Sequence, residues 1–180
     1  MRIFSEQNKV VNVLPAVDGN NTAITTDIVS LKLYNHCCFI LTFGAVNASA
    51  SAVTGTGSES NLIAYKGEDV TTCATAFIAK YRACTTASAS TGGDTLGAIT
   101  TLPVLGVSMG TGNTLDFADQ TGAIIVVEID AADLAPTLAN PYDTVKLGFR
   151  FSAHSVLVSC VAVLSQPRYA SEAGPSAIVN

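Results

Sequence analysis

Tryptophan is absent from this chain, histidine occurs twice, and basic side chains number nine in 180 residues. Each shortage excludes something. Nine scattered lysines and arginines, with only Lys80 and Arg82 close together, form no basic strip, and the net charge is −5. Phosphates would find little to neutralise them, so nucleic acid is not expected as a partner. No apolar stretch reaches the ~18 residues that span a bilayer, and no membrane partner is expected. The start, Met1-Arg2-Ile3-Phe4-Ser5-Glu6, has no apolar core of a signal peptide before Gln7, Asn8 and Lys9. It predicts synthesis and folding in a cytoplasm. Five cysteines, an odd number, in that setting predict free thiols rather than a disulfide framework.

Charge is scarce as well. Charged residues make up 13% of the chain, against roughly 25% in ordinary soluble domains. Thr, Ser, Ala and Gly take their place, and a neutral surface of that kind suits burial against neighbouring subunits. Apolar residues at 48% in one chain of this length are enough for a single sizeable core.

What is present is a pattern of short strands. Val145, Leu147, Phe149 and Phe151 alternate with Thr144, Lys146, Gly148 and Arg150, the period of a strand buried on one face. Ser155–Leu164 is apolar at nearly every position, which predicts a strand covered on both faces and paired with the first. Further strands are expected at 10–14, 27–34, 37–43, 62–65, 73–83, 99–102, 114–117 and 123–129. Asn35-His36 reads as a turn or bulge, the small-residue stretch 44–60 as a flexible loop or a weak strand flanked by loops, and 85–94 as a second small-residue loop. The one helical turn expected is Asp130–Leu134, capped by Asp130 and ended by Pro136. The reading is an all-β, single-domain antiparallel β-sandwich, jelly-roll-like, of about eight to ten strands. Residues 1–9 read as an N-terminal arm, 10–167 as the sandwich and 168–180 as a C-terminal tail. The core is expected from Val145, Leu147, Phe149, Phe151, Val156, Val158, Val161, Ile125, Val127, Phe39, Leu41 and Phe77.

Candidate chemistry is thin. His36, Cys37 and Cys38 form the one His/Cys cluster, but zinc needs four ligands and the paired spacing is missing. Glu128, Asp130 and Asp133, with Asp116 and Asp119, are acidic without the glycine-turned spacing of a calcium loop. Gly106, Gly110 and Gly112 lack the Lys-Ser/Thr ending of a phosphate loop. Asp94, His154 and a serine could be drawn as a hydrolase triad, but no Gly-x-Ser-x-Gly elbow is present. No catalytic residue, metal ligand or cofactor is expected. The tail ends in apolar Ile178 and Val179, and with Arg168 and Tyr169 these are the candidate interaction residues.

The order of segments resembles head auxiliary proteins of tailed bacteriophages, the capsid decoration or cement proteins. The resemblance runs through Val11–Asp18, Thr26–Tyr34, Phe77–Tyr81, Ile125–Leu134 and Leu164–Ala170. It implies a virion protein on the capsid surface, made in the host cytoplasm, that binds the major capsid protein and itself, often as a homotrimer, without enzymatic activity. A head-to-tail joining or tail component is the alternative within the particle. A carbohydrate-binding β-sandwich module is a further one, weakened by the absent tryptophan and the 7% aromatics.

Overall fold

Alternation of large apolar and small or polar side chains dictates the architecture, and a computed structural model shows how the strands are distributed. The described residues are 4–20, 22–46, 61–69, 71–84, 93–108, 122–150, 155–168 and 178–179. In chain order they form a helical turn, α1 (Phe4–Gln7), and then β1 (Lys9–Asp18), β2 (Ala23–Thr25), β3 (Ile28–Ser30), β4 (Tyr34–Val46) and β5 (Asn61–Gly67). The order continues with β6 (Thr75–Ala76), β7 (Ala79–Cys84), β8 (Thr100–Leu102), β9 (Val107–Ser108) and β10 (Ile124–Asp130). It closes with β11 (Thr144–Arg150), β12 (Val156–Pro167) and β13 (Ile178–Val179).

Two antiparallel sheets pack as a sandwich. A front sheet runs β1-β12-β4-β10-β7-β8, and a back sheet runs β13-β3-β11-β5-β6, with β2 beside β11 and β9 beside β5. The chain visits the sheets alternately: β1 front, β2 and β3 back, β4 front, β5 and β6 back, β10 front, β11 back, β12 front. Such wrapping is that of a jelly roll, with β7 and β8 extending the front sheet. Thirteen strand segments among the described residues exceed the eight to ten expected, because several are only two or three residues long.

The core lies between the sheets. Phe39, Leu41 and Phe43 of β4, Ile125, Val127 and Ile129 of β10, and Cys160, Ala162 and Leu164 of β12 meet Val145, Leu147 and Phe149 of β11. Each large side chain contributes roughly 1.5–3 kcal/mol by leaving water. Ten of the twelve expected core residues are buried; Phe151 lies outside the described residues. Val161 is the exception, half-buried on the outer face. Side chains alternate along a strand, so with Cys160 and Ala162 inward Val161 must point out.

Several boundaries differ from the sequence expectation. The last two long strands do not pair with each other: β11 lies in the back sheet between β3 and β5, and β12 lies in the front sheet between β1 and β4. Residues 73–83 are likewise two strands in different sheets, β6 and β7, because the chain crosses the sandwich at Phe77-Ile78. Asn35-His36 is inside β4, and the turn falls earlier, at Lys32-Leu33. Pro15 does not end β1. It sits on an edge strand within the register shift between Leu14 and Val17, where its missing N–H costs no ladder bond.

Short polar devices fix the crossings. Thr26, buried, separates β2 from β3; its Oγ1 accepts from Leu147 N at 3.0 Å while its own N–H donates to Leu147 O. Ala131–Leu134 is a 3-10 turn whose cap residue Asp130 is extended but makes no side-chain bond, so the expected cap is positional only. Ala135, left-handed at φ 46°, closes the turn before Pro136. The expected strand at 114–117 and most of the stretches 44–60 and 85–94 lie outside the described residues.

Candidate interaction surfaces

The described part of the tail returns to the sandwich. Arg168 N donates to Leu33 O at 2.9 Å, and its Nε donates to Asn35 Oδ1 at 3.0 Å. Ile178 and Val179 form β13, whose backbone pairs with Val29 and Ile28 of β3. Segment 28–35 therefore holds the tail at Arg168 and again at 178–179. Tyr169 lies outside the described residues.

Arg168 also stands at the rim of a cleft of about 190 Å³, which reaches from Leu31 and Lys32 to Leu134, Pro136 and Tyr142, with Asp143 on its wall. Lys66 braces this corner. Its Nζ donates to Leu134 O at 2.6 Å and lies 4.5 Å from the centre of the Tyr142 ring. A cation over an aromatic face adds roughly 0.5–2 kcal/mol. Asp143 is raised from its ordinary value by desolvation, against the pull of Lys32 and Arg168. The sequence carries no signal of this role for Lys66, since its partners are 11 to 76 residues away along the chain and nothing in its neighbours announces them.

The sequence clusters resolve into structural pairs. His36 Nε2 lies 2.7 Å from Glu128 Oε2, and His36 Nδ1 lies 3.0 Å from Ser165 Oγ. Cys37 and Cys38 point to opposite faces, Cys37 into the core and Cys38 half-buried outside. All five cysteines are free. Burial pushes the Cys38 and Cys160 thiols up to about 12, and Cys37 well above its usual range. Thiols held in that form are poor nucleophiles and poor metal ligands. Among the described residues no three His, Cys, Asp or Glu side chains gather as a metal site requires. Asp130 and Asp133 are exposed; Asp116, Asp119 and His154 lie outside the described residues, as do Gly110 and Gly112. Gly106 closes a turn by donating to Pro103 O at 2.8 Å, at φ 75°.

The outer face of the front sheet is the feature that the sequence half announced. Register places Val161, Ile40 and Val126 side by side on β12, β4 and β10, pointing away from the core. The next row is Val10, Val163, Cys38, Glu128 and Lys80. The apolar run 155–164 predicted cover on both faces; the structure covers the inner one and leaves Leu157 exposed and Val161 and Val163 half-exposed on the other. Loop tips are apolar too, with Leu105 76% and Leu138 107% exposed. Among the described residues no helix is long and apolar enough to cross a membrane.

Comparison with known proteins adds no relative: no family model matches the chain, and neither does any curated protein or solved structure.

Proposed function

We propose that this chain is a virion structural protein, a capsid decoration or cement protein that binds the assembled head lattice and stabilises it. The observation that carries the reading is the pair of leucines at loop tips, Leu105 and Leu138, on a chain in which only 13% of residues are charged. Large apolar side chains placed there lose hydration only when a neighbour covers them, and a lattice of repeated subunits offers that cover many times over. The partner is the major capsid protein, and the contribution is buried area, since standard interfaces remove roughly 1,200–2,000 Å² from water. The jelly-roll wrapping agrees with this as a fold-level analogy, shared by capsid and lectin domains.

The test is to quantify the protein in purified particles. Hundreds of copies per particle support decoration. Six or twelve copies assign it to a joining ring or tail instead, and absence from particles rejects a virion role.

A further inference from the structure

We propose that the cleft beside Arg168 binds a free α-amino acid with an apolar side chain, an inference independent of the virion reading. Pairing of β3 with β11 brings distant parts of the chain to this corner, where Leu31 N donates to Asp143 O at 2.6 Å. Leu134 and Pro136, at the turn after β10, form the other side, and Arg168 stands at the rim. The volume of about 190 Å³ is on the order of six water molecules' share of the liquid. That is room for one small molecule and not for a length of peptide.

Three charged side chains line the cleft, and contact neutralises none of them. Asp143 feels the pull of Lys32 and Arg168, yet among the described residues the one ion pair that closes is His36 with Glu128. Neither the Asp143 carboxylate nor the Lys32 ammonium has a hydrogen-bond partner among the described residues. Arg168 is held by its backbone N on Leu33 O and by Nε on Asn35 Oδ1. Those bonds restrain the guanidinium and leave its two terminal nitrogens to donate elsewhere. Two parallel donors on a restrained fork complement a carboxylate. Half-buried Asp143, raised chiefly by desolvation, complements an ammonium, which would replace the water that burial removes.

Between the charges the lining is apolar, with Pro136, Pro141 and the Tyr142 ring over buried Leu31 and Leu134. Lys66 does not line the cleft but holds two of its walls, through Leu134 O and the face of Tyr142. The site is therefore preformed, and little has to be ordered when a ligand enters. An α-amino acid matches every part of it: carboxylate on Arg168 and Lys32, ammonium on Asp143, side chain on the prolines and Tyr142. A dicarboxylate or a phosphate would set like charge against Asp143. A hydrocarbon would cover the three charges without pairing them.

Titration of the full chain with L-leucine, followed by calorimetry and ligand-observed NMR, decides it. Saturable one-to-one binding is expected. Isocaproate, which lacks the ammonium, and isoamylamine, which lacks the carboxylate, should each bind at least tenfold more weakly. The variants should then sort by charge. Arg168→Gln should weaken leucine and isocaproate at least tenfold and leave isoamylamine unchanged, and Lys32→Gln, at an exposed position where folding is insensitive, should repeat that pattern in milder form. Asp143→Asn should weaken leucine and isoamylamine and spare isocaproate. No saturable leucine binding overturns the proposal, as does isocaproate bound as tightly as leucine. So does a folded Lys32→Gln or Arg168→Gln that weakens all three ligands alike or none of them.

Discussion

His36 on β4 and Glu128 on β10 meet diagonally across neighbouring strands, Nε2 to Oε2 at 2.7 Å, although 92 residues separate them in the chain. The imidazole also reaches Ser165 on β12, so one side chain ties three strands of the front sheet. Both members of the pair stay partly open to water, at 23% and 41%. Exposed pairs of this kind are worth about 0–1 kcal/mol, because solvent screens them. Glu128→Ala should lower the melting temperature slightly or not at all. A loss approaching that of a core deletion would mean that the pair orders the sheet rather than decorating it.

Core deletions should behave otherwise. Phe149 is buried on β11 among the facing strands, and Phe149→Ala should cost about 3–5 kcal/mol through the cavity left behind. Gly67→Ala is predicted to be severe for a different reason: a Cβ there would enter the backbone of Thr72 and Cys73. Gly148→Ala meets instead the Tyr65 ring at 2.8 Å, a side chain rather than backbone. Thermal melts of the three variants should rank Gly148→Ala as the mildest.

Those two glycines mark the limit of what the sequence discloses. Face assignments follow from alternation, which is local, and the sequence alone turns Phe39, Leu41, Val145 and Phe149 inward. Which sheet a strand joins is set by crossings whose signals are weak. Phe77-Ile78 keeps the alternation of 73–83 intact while carrying the chain from back sheet to front, so two strands read as one. The nearness of 144–151 to 155–164 suggested a hairpin, yet the sandwich places β11 and β12 in opposite layers. The Lys66 corner was illegible because its partners come from distant segments, whereas the outer face of β12 was visible as an excess of apolar residues.

The thiols give a chemical check on the interior. All five are free, and four of them, Cys37, Cys73, Cys84 and Cys160, are buried. A reductant should leave the melting temperature unchanged, where loss of a disulfide would typically remove 2–4 kcal/mol. Alkylation of the native protein near neutral pH should be slow even at half-buried Cys38, whose thiol is pushed up to about 12 by desolvation and by Glu128. Rapid modification before unfolding would contradict this packing.

Two aspartates should act on stability in opposite directions with pH. Asp69 accepts from the backbone N–H and hydroxyl groups of Thr71 and Thr72, which lowers it to about 2 from 3.8. Its contribution is present above the unfolded value and lost as pH falls through about 2. Asp143 is raised by desolvation, so its protonated form favours the fold; that contribution is full below 3.8 and lost as pH rises through the higher folded value. Asp69→Ala should therefore flatten the melting-temperature profile between about pH 2 and 4. Asp143→Asn should gain relative to wild type as pH rises above 4. The same slope in both variants would refute the assignment.

The tail tests architecture and the proposed role together. Truncation after Pro167 removes the two Arg168 hydrogen bonds and the pairing of β13 with β3, and leaves the buried strands of both sheets in place. A few exposed hydrogen bonds are worth about 0.5–1.5 kcal/mol each, so the truncated chain should still unfold cooperatively at a modestly lower temperature. It also opens the backbone edge of β3, and exposed edges recruit other strands, so some added self-association is expected at high concentration. Under the virion reading the shortened protein should bind particles poorly in a co-sedimentation assay, and only weakly depend on salt, because residues 168–180 carry no run of charge. A folded, truncated chain that occupies particles fully at matched concentration would remove the tail from the lattice contact and leave the loop-tip leucines as the surface to test next.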